Sequence, residues 1–348
     1  MIQIPNRILA IHVARIGDTL LTSAALRAIA THYSMAKIDF LGHSKRIAVM
    51  QHLPYLHRIG AINKRNAKFR GHLVSLLNRK PYDLTFVWGG HDPELIKYAH
   101  RVSRRLIISQ QKEEQVHILA DRVIPFPDDT NTLTEEEDKP LAQWLLDLVE
   151  QGLGITAQNC HADYYVTTDE LKHAQTILTN QFGSRPIKII GLVMESHPAG
   201  IHRNWPIDYF CGLLESLQTD NPDYRFVLLG DPLAPEKIAS IEKILGERLV
   251  NLTGKLPLRD SAAVIARLDL YLGVDTGPSH IAAALGTPSV VMYHCMRKGE
   301  LLIAPKFPQR LTIINHPTKR NICTFDTPMA DIKISTVLAA CRARLANG

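Results

Sequence analysis

The sequence predicts an α/β protein with two Rossmann-like domains that face a central cleft. Strand-length apolar runs alternate with helix-length segments, and this alternation occurs separately in each half of the chain. The chain of 348 residues is also longer than a domain with a single hydrophobic core usually is, which favours two domains. Because ligands of such sheets bind beyond the carboxyl ends of the strands, we expect the functional residues in the loops that follow strands.

The first half of the chain begins with a strand, a turn and a helix. Residues 7–14 form an apolar run, Gly17 marks the turn, and apolar residues recur at helical spacing over residues 19–30. Four later segments have the composition of strands: residues 37–41, 58–62, 83–88 and 105–108. An amphipathic run over residues 141–149 predicts a further helix. We interpret residues 1–165 as the first domain and residues 166–186 as a linker.

The second half repeats this architecture over residues 187–348. Six segments have the composition of strands: residues 187–194, 225–229, 249–252, 268–274, 289–293 and 311–314. Four segments between them have helical spacing: residues 206–217, 235–245, 259–267 and 278–285. The two halves are therefore predicted to share a fold, although they share no sequence repeat.

The composition is that of an ordinary globular protein. Hydrophobic residues make up 45%, charged residues 21% and aromatic residues 6% of the chain, which excludes a disordered, collagen-like or coiled-coil protein. A formal net charge of +6 favours an anionic partner, whether nucleotide, phosphorylated glycan, nucleic acid or membrane surface. No apolar run approaches the roughly 20 residues of a spanning helix, and the first apolar run meets Arg15 and Asp18 at once, unlike a signal peptide. These features predict a soluble, cytoplasmic protein.

The cysteines and the common nucleotide motifs exclude several other classes. The five cysteines are odd in number, far apart and without a CxxC pair: Cys160, Cys211, Cys295, Cys323 and Cys341. This pattern predicts a reducing cytoplasm, with neither a disulfide framework nor a metal site. The chain has no GxxxxGK[ST] segment and no GxGxxG after its first strand, which argues against a kinase-type NTPase and an NAD enzyme. No cofactor is expected.

The strongest chemical signal lies in residues 273–288. A buried strand runs into a Thr276-Gly277 turn, and Pro278 occupies the position of a first helical residue. The dipole and the backbone N–H groups of this helix would attract a diphosphate. Gly277 would let a phosphate approach the backbone closely, and Thr276 offers a hydroxyl.

Two charged or ionisable residues flank this turn. His280 lies one helical turn later and can donate to a phosphate oxygen, whereas Asp275 would bind a sugar hydroxyl or hold the loop. The alternative is an ordinary strand–helix turn, in which Asp275 caps the helix and His280 faces solvent. The residues alone leave both interpretations open.

The same segment resembles a known family signature. The pattern Asp-Thr-Gly-x-x-His-x-Ala-Ala-Ala-x-x-x-Pro, which begins at Asp275, is similar to that of glycosyltransferase family 9, the ADP-heptose:lipopolysaccharide heptosyltransferases. Residues 14–26, with a Gly-Asp loop that opens the first helix, resemble the other hallmark of that family. Weaker matches connect the two, so the resemblance covers essentially the whole chain. It implies a GT-B fold, with the acceptor bound mainly by the first domain and the donor mainly by the second.

The resemblance also implies an activity. It is an inverting, metal-independent transfer of heptose from ADP-heptose to an anionic lipopolysaccharide core, at the cytoplasmic face of the inner membrane, with which the protein would associate peripherally. Asp18 matches the catalytic carboxylate of the family, which would take the proton of the attacking acceptor hydroxyl. From the residues alone, a helix N-cap is the favoured interpretation of Asp18.

Three further positions match the family one at a time. Arg203 stands where the family usually has Lys, two residues before Trp-Pro, and its charge would neutralise the departing diphosphate; a solvated Arg is the alternative. Glu236 resembles the acidic residue that binds the ribose hydroxyls of ADP, with Asp231 as a competitor and a favourable first-turn acid as the alternative. Leu256 falls at the position that lines the adenine.

A long basic stretch in the first half suggests an acceptor-binding surface. No Asp or Glu occurs between Phe40 and Tyr82, so this stretch should create a positive field. The residues that we expect to bind an anionic acceptor are Arg58, Lys64, Arg65, Lys68 and Arg70. A solvated face, contact with an anionic membrane and nucleic-acid binding are the alternatives, and the shortage of aromatic residues argues against nucleic acid.

Three alternative functions stay open. The protein could use another nucleotide-sugar, or a different acceptor such as an O-antigen, a capsule or a protein. It could instead be a non-catalytic subunit of a core-assembly complex. Nucleic-acid binding is the third, and we expect no nucleic-acid partner.

Overall fold

The chain folds into two compact units that are each built on one parallel sheet. The computed structural model describes residues 4–63, 65–70, 80–89, 92–110, 118–126, 138–183 and 188–346. The units are Met1–Tyr165 and Val166–Gly348, and each contains a six-stranded sheet. Every strand pairing within the described residues is parallel. The predicted α/β class with two Rossmann-like units is confirmed.

The first unit begins with the predicted strand, turn and helix. Its strands are β1 (Arg7–His12), β2 (Lys37–Gly42), β3 (Arg58–Ala61), β4 (Tyr82–Trp88), β5 (Ser103–Gln110) and β6 (Arg122–Pro125). Its helices are α1 (Ile16–Leu21), α2 (Ser23–His32), α3 (Pro93–Val102) and α4 (Leu141–Leu153). Strand β6 was not predicted, because this four-residue strand pairs only with β5 at the edge of the sheet and lacks an apolar run.

The second unit follows the predicted alternation closely. Its strands are β7 (Ile189–Val193), β8 (Arg225–Leu228), β9 (Leu249–Asn251), β10 (Leu270–Val274), β11 (Ser289–Tyr293) and β12 (Leu311–Asn315). Its helices are α5 (Thr168–Phe182), α6 (Ile207–Asp220), α7 (Pro235–Leu245), α8 (Leu258–Ile265), α9 (Gly277–Leu285), α10 (Gly299–Leu302) and α11 (Ile334–Ala346). The central strand β10 is buried along its whole length, as expected where helices cover both faces of a sheet.

Both sheets share one doubly wound strand order. The first sheet runs β3-β2-β1-β4-β5-β6, and the second runs β12-β11-β10-β7-β8-β9. In each sheet the chain starts at a central strand, winds to one edge, and then returns to the other side of that first strand. The switch points therefore lie between β1 and β4 and between β7 and β10, where ligands of such sheets bind.

The segment that was interpreted as a linker is mostly a helix of the second unit. Helix α5 begins with a capping box, in which the Thr167 hydroxyl accepts from the Glu170 N–H and the Glu170 carboxylate accepts from the Thr167 N–H. Just before it, Arg27 binds Asp163 and the carbonyl of His161, which attaches this stretch to the first unit. Among the described residues, no helix has both the length and the apolar character required to span a membrane.

The expectation of no disulfide was wrong. Cys295 and Cys323 are joined in the structure, with their Cα atoms 5.8 Å apart. The two residues follow the adjacent parallel strands β11 and β12, whose carboxyl ends bring the two loops together. Sequence spacing conceals this proximity because 28 residues separate the pair.

The start of helix α5 should make stability depend on pH. The Arg259 guanidinium, bonded to Glu170 at 2.6 and 2.8 Å, holds the pKa of that carboxyl at about 2 instead of its usual 4.5. A depressed folded-state pKa stabilises the protein above pH 4.5, and the benefit disappears as the pH falls toward 2. In urea unfolding at pH 6 and pH 3, Glu170→Gln should lose less stability on acidification than the wild type. Asp169→Asn, a neighbouring exposed site, should keep the wild-type response; equal losses in Glu170→Gln and the wild type would contradict the prediction.

Candidate functional site

Arg203 lies in a loop that folds back at the carboxyl end of β7. The 3₁₀ turn Pro198–Arg203 brings Asn204 back so that its side-chain oxygen accepts from the N–H of Ser196 at 2.7 Å. Trp205 anchors the end of the loop, because it is buried and its indole N–H donates to the carbonyl of Ile332 at 3.0 Å. Arg203 thus lies two residues before Trp205, whose buried ring fixes the end of the loop.

Arg203 contacts the loop that follows β10, which is the loop predicted to bind a diphosphate, at the switch point of the second sheet. A guanidinium nitrogen of Arg203 lies 2.9 Å from a carboxylate oxygen of Asp275, which follows β10. Nε2 of His280 lies 3.8 Å from the other carboxylate oxygen, and both His280 and Asp275 are buried. The structure therefore brings three of the predicted site residues together, and Asp275 pairs with Arg203 while Thr276 is the N-cap of helix α9.

The N-terminus of helix α9 is ordered by a buried hydroxyl. Ser279 donates its hydroxyl hydrogen to the carbonyl of Val274 at 2.6 Å, and its oxygen lies 2.9 Å from the hydroxyl of Tyr271. Thr276 is the N-cap with extended backbone, and its side chain makes no capping bond within the described residues. The Ser279 N–H already bonds to the carbonyl of Thr276, so Thr276 and Gly277 are the positions from which backbone N–H groups would reach an anion.

Two other predicted residues lie along the same edge of the sheet. Glu236 is exposed in the first turn of α7, which follows β8, and Leu256 is half-buried in the loop that follows β9. These loops are connected, because the N–H of Gly254 donates to the carbonyl of Gly230 at 2.9 Å. Gly254 has a φ of +67° and a Cβ there would lie 2.5 Å from Pro232, so only glycine permits this approach.

A pocket lies between the loops that follow β7 and β8. Its volume is about 320 Å³, within the usual range for small-ligand sites, and it is lined by Glu195, Ile201, Trp205, Leu233 and Lys237, among others. Lys237 pairs with Glu195 and is the neighbour of Glu236. Sequence reasoning named the loop at residues 195–200 without assigning roles, and it missed Lys237.

His202 is a further member of the site that sequence reasoning missed. Burial, and then the charge of Arg203, lowers its pKa to about 4, so the ring is neutral near pH 7 and accepts from Nε–H of Arg203 at 3.4 Å. Its ring packs edge-on against that of His294, with the ring centroids 5.0 Å apart, and burial likewise lowers the pKa of His294. The only sequence signal was that His202 precedes Arg203.

Asp18 lies at the switch point of the first unit, inside a helix. Helix α1 begins at Ile16, so Asp18 belongs to the first turn, and the interpretation of Asp18 as the N-cap was wrong. The hydroxyl of Thr22 donates to the carbonyl of Asp18 at 2.9 Å, and Nδ1 of His12 lies 2.6 Å from that hydroxyl. Burial lowers the pKa of His12 to about 3, so this buried support for Asp18 stays uncharged near neutral pH.

The predicted acceptor-binding residues lie in two places, at the start of strand β3 and in the helical segment that follows it. Arg58 begins the strand, whereas Arg65, Lys68 and Arg70 lie on helical residues 65–70 that follow it. All four side chains are exposed. The structure thus groups three of the predicted cations on one short segment, apart from Arg58, and Lys64 lies outside the described residues.

The doubly wound α/β fold and the family match together give the class of this protein. Residues 122–320, more than half of the chain, match the family model of glycosyltransferase family 9 (heptosyltransferase). The chain belongs to this family and is a glycosyltransferase. The resemblance inferred from the sequence motifs is thereby confirmed.

Individual relatives extend the comparison to most of the chain. Lipopolysaccharide heptosyltransferase 3 of Escherichia coli K12 is 25% identical over 291 residues, which cover 80% of this chain and 79% of the relative. A family 9 glycosyltransferase from Veillonella parvula matches with a TM-score of 0.81 and 16% identity, over 99% of this chain and 98% of that chain. The ADP-heptose lps heptosyltransferase II of E. coli matches with a TM-score of 0.75 and 20% identity, over 98% and 99%. These likenesses show a shared GT-B fold.

Proposed function

We propose that this glycosyltransferase moves heptose from ADP-heptose to a lipopolysaccharide core acceptor. The observation that best supports ADP-heptose as the donor is the order of the candidate site residues along the second sheet. The Arg203–Asp275 pair lies at β7 and β10, Glu236 follows β8, and Leu256 follows β9, which is the sheet order. A nucleotide has the same order of diphosphate, ribose and base. The names of the relatives, which include an ADP-heptose lps heptosyltransferase, support the choice of donor and acceptor.

In the donor complex, positive charge would replace what a metal supplies in other transferases. Arg203 and His280 would bind the diphosphate oxygens, together with the backbone N–H groups of Thr276 and Gly277. Asp275, which holds Arg203 at 2.9 Å, would keep that guanidinium directed at the diphosphate or bind a donor hydroxyl. The carboxylate of Glu236 would accept from the ribose hydroxyls, and Leu256 would contact the adenine.

The transfer itself would be a direct displacement with inversion. An acceptor hydroxyl oxygen bonds to the anomeric carbon as the bond from that carbon to the diphosphate oxygen breaks, and ADP leaves. Asp18 would take the hydroxyl proton as general base, and Arg203 would stabilise the charge that develops on the leaving diphosphate. Both groups act only when donor and acceptor are bound at the same time.

The acceptor side of the proposal rests on charge. The exposed cations Arg65, Lys68 and Arg70 would attract the phosphates and carboxylates of a lipopolysaccharide core, with Arg58 and Lys64 as further contributors. Such an acceptor is lipid-anchored, so the protein would work at the cytoplasmic face of a membrane as a peripheral enzyme. Raised salt should therefore weaken acceptor binding more than donor binding.

The donor assignment is tested by thermal unfolding with a panel of ADP, UDP, GDP, CMP and NAD. ADP at 100 times its dissociation constant should add about 2.7 kcal/mol to the stability of the wild type. Glu236→Ala should lose most of this stabilisation, because the ribose hydroxyls lose their acceptor. Glu242→Ala, which removes an exposed acid from the same helix, should keep it.

The other results decide between the alternatives. Stabilisation by UDP or GDP instead of ADP would show another nucleotide-sugar donor. ADP binding without any turnover on truncated core acceptors would favour a different acceptor, such as O-antigen, capsule or protein, or a non-catalytic subunit. A protein stabilised by none of the nucleotides would contradict the proposed donor site.

A further inference from the structure

A group of sulfur and nitrogen ligands lies beside the donor site and has no part in the proposed transfer. His294 and Cys295 directly follow β11, and Cys323 follows β12 through the 3₁₀ turn Arg320–Ile322. The ligand atoms of these three side chains all lie within 4.8 Å of one another. His294 and Cys295 are buried, and Cys323 is half-buried.

The hydrogen bonds of His294 fix which ring nitrogen carries the proton and which carries a lone pair. A carbonyl can only accept, so the contact of 3.0 Å between Nε2 and the oxygen of Thr327 requires the proton to be on Nε2. Nδ1 then carries a lone pair, and it lies 3.9 Å from the sulfur of Cys323 and 3.9 Å from that of Cys295, whose sulfur is also 4.0 Å from Nε2. A histidine that donates to a carbonyl through one nitrogen while the other is a ligand is the usual arrangement at metal centres.

The backbone N–H of Met296 is the competing partner of Nδ1. It lies 3.3 Å away, a long hydrogen bond that a metal–nitrogen bond would replace. Both this contact and the one to Thr327 require the same tautomer, which is the one that a metal bound to Nδ1 would need.

We propose that Cys295, Cys323 and His294 bind one Zn²⁺ ion when the two cysteines are reduced. Two thiolates and one imidazole form a soft ligand set that suits Zn²⁺ and does not suit Mg²⁺ or Ca²⁺. Zinc–sulfur bonds of about 2.3 Å and zinc–nitrogen bonds of about 2.0 Å place tetrahedral ligands roughly 3.6 Å apart, near the sulfur–nitrogen separations observed here. Three protein ligands leave the fourth position to water.

Zinc binding requires the disulfide to be reduced first. A dithiol reductant supplies two electrons and two protons, which convert the disulfide into two thiols while the reductant becomes a disulfide. Zinc then replaces the two thiol protons, which are released to solvent, and the sulfurs separate to about 3.8 Å around the ion. The bound ion would fix the loops after β11 and β12 against His202, the neighbour of Arg203, whose ring packs against that of His294.

The test is the metal content of the fully reduced protein after zinc loading and gel filtration. We expect about one zinc per chain in the wild type, and less than about a tenth of that in Cys295→Ser and Cys323→Ser. Cys211→Ser, which removes a half-buried thiol on helix α6, should retain the full zinc content. This readout is independent of glycosyl transfer, so it can succeed or fail separately from the proposed function.

A second measurement does not depend on the variants folding. Co²⁺ offered to the reduced wild type should produce thiolate-to-cobalt charge-transfer absorption, which zinc then abolishes. The proposal is overturned if a wild type in which all five cysteines titrate as thiols binds neither zinc nor cobalt. It is also overturned if Cys211→Ser loses zinc as fully as Cys295→Ser and Cys323→Ser.

Discussion

Replacing Asp18 by asparagine is expected to lower turnover by about 10²- to 10⁴-fold, the usual contribution of a positioned general base. The amide has nearly the same size as the carboxylate but cannot accept the proton of the attacking hydroxyl. Nucleotide affinity should stay near that of the wild type, because Asp18 belongs to the first unit and the proposed donor residues to the second. Steady-state kinetics with ADP-heptose and a truncated core acceptor measure the first effect, and thermal stabilisation by ADP measures the second.

The local structure around Asp18 should survive this change. The carbonyl of Asp18 accepts from the hydroxyl of Thr22, which lies 2.6 Å from Nδ1 of His12, and asparagine keeps this backbone carbonyl in place. Urea unfolding of Asp18→Asn, compared with the wild type, measures whether the fold of the first unit is kept.

Asp92→Asn is the matched control for Asp18. Asp92 lies on the other side of the same switch point, where its side chain caps helix α3 by accepting from the N–H of Glu94 at 3.0 Å. Asparagine caps helices about as well as aspartate, so both turnover and stability should be preserved. Unchanged turnover in Asp18→Asn would remove Asp18 from the mechanism, and equal losses in both variants would point to a general charge effect.

Replacing Arg203 by glutamine is expected to lower turnover by about 10²- to 10³-fold, comparable to the loss of one group that stabilises charge in a transition state. The change removes the cation that we propose for the leaving diphosphate. It also leaves Asp275, which is only 5% exposed, without its partner at 2.9 Å. Arg203→Lys should recover part of the turnover, because it restores the charge but not the planar fork of the guanidinium.

A double variant separates the electrostatic role of Arg203 from its structural one. Arg203→Gln alone should be destabilised by the unpaired buried carboxylate of Asp275. Adding Asp275→Asn should recover stability, measured by urea unfolding, while turnover stays low. Full recovery of turnover in the double variant would show that Arg203 acts only by pairing with Asp275.

Arg342→Gln provides the control for Arg203. It breaks an Arg–Asp pair with Asp220 on the surface of the same unit, where such pairs contribute little. Turnover and ADP stabilisation should both match the wild type. A comparable loss of turnover in Arg342→Gln would contradict a specific role for Arg203.

Much of the fold could be predicted because its signals are local. Continuous apolar runs identify the central strands, and the run at β10 is buried along its whole length as expected for a strand covered on both faces. Strand β6 was missed because an edge strand needs only a few partly buried residues. The residues at 168–182 were assigned to a linker, although Thr167 and Glu170 form a capping box that is itself visible in the sequence.

The candidate site was predictable only in part. Motifs identified Asp18, Arg203, Asp275 and His280 one at a time, but nothing local indicated that Arg203 and Asp275 bind each other. His202, Lys237 and the Cys295–Cys323 pair were missed because single histidines, lysines and cysteines have no distinctive spacing.

The sequence by itself determined the α/β class, the two-unit organisation and the family, since each follows from periodicity or from a contiguous motif. Only the tertiary structure decided which loops share an edge: the strand orders bring β7 beside β10, and β11 beside β12. Because β7 lies beside β10, Arg203 can pair with Asp275. Because β11 lies beside β12, Cys323 lies close to His294 and Cys295. The physical reason is that parallel pairing connects strands distant in sequence, so residues that meet at the carboxyl edge leave no local pattern.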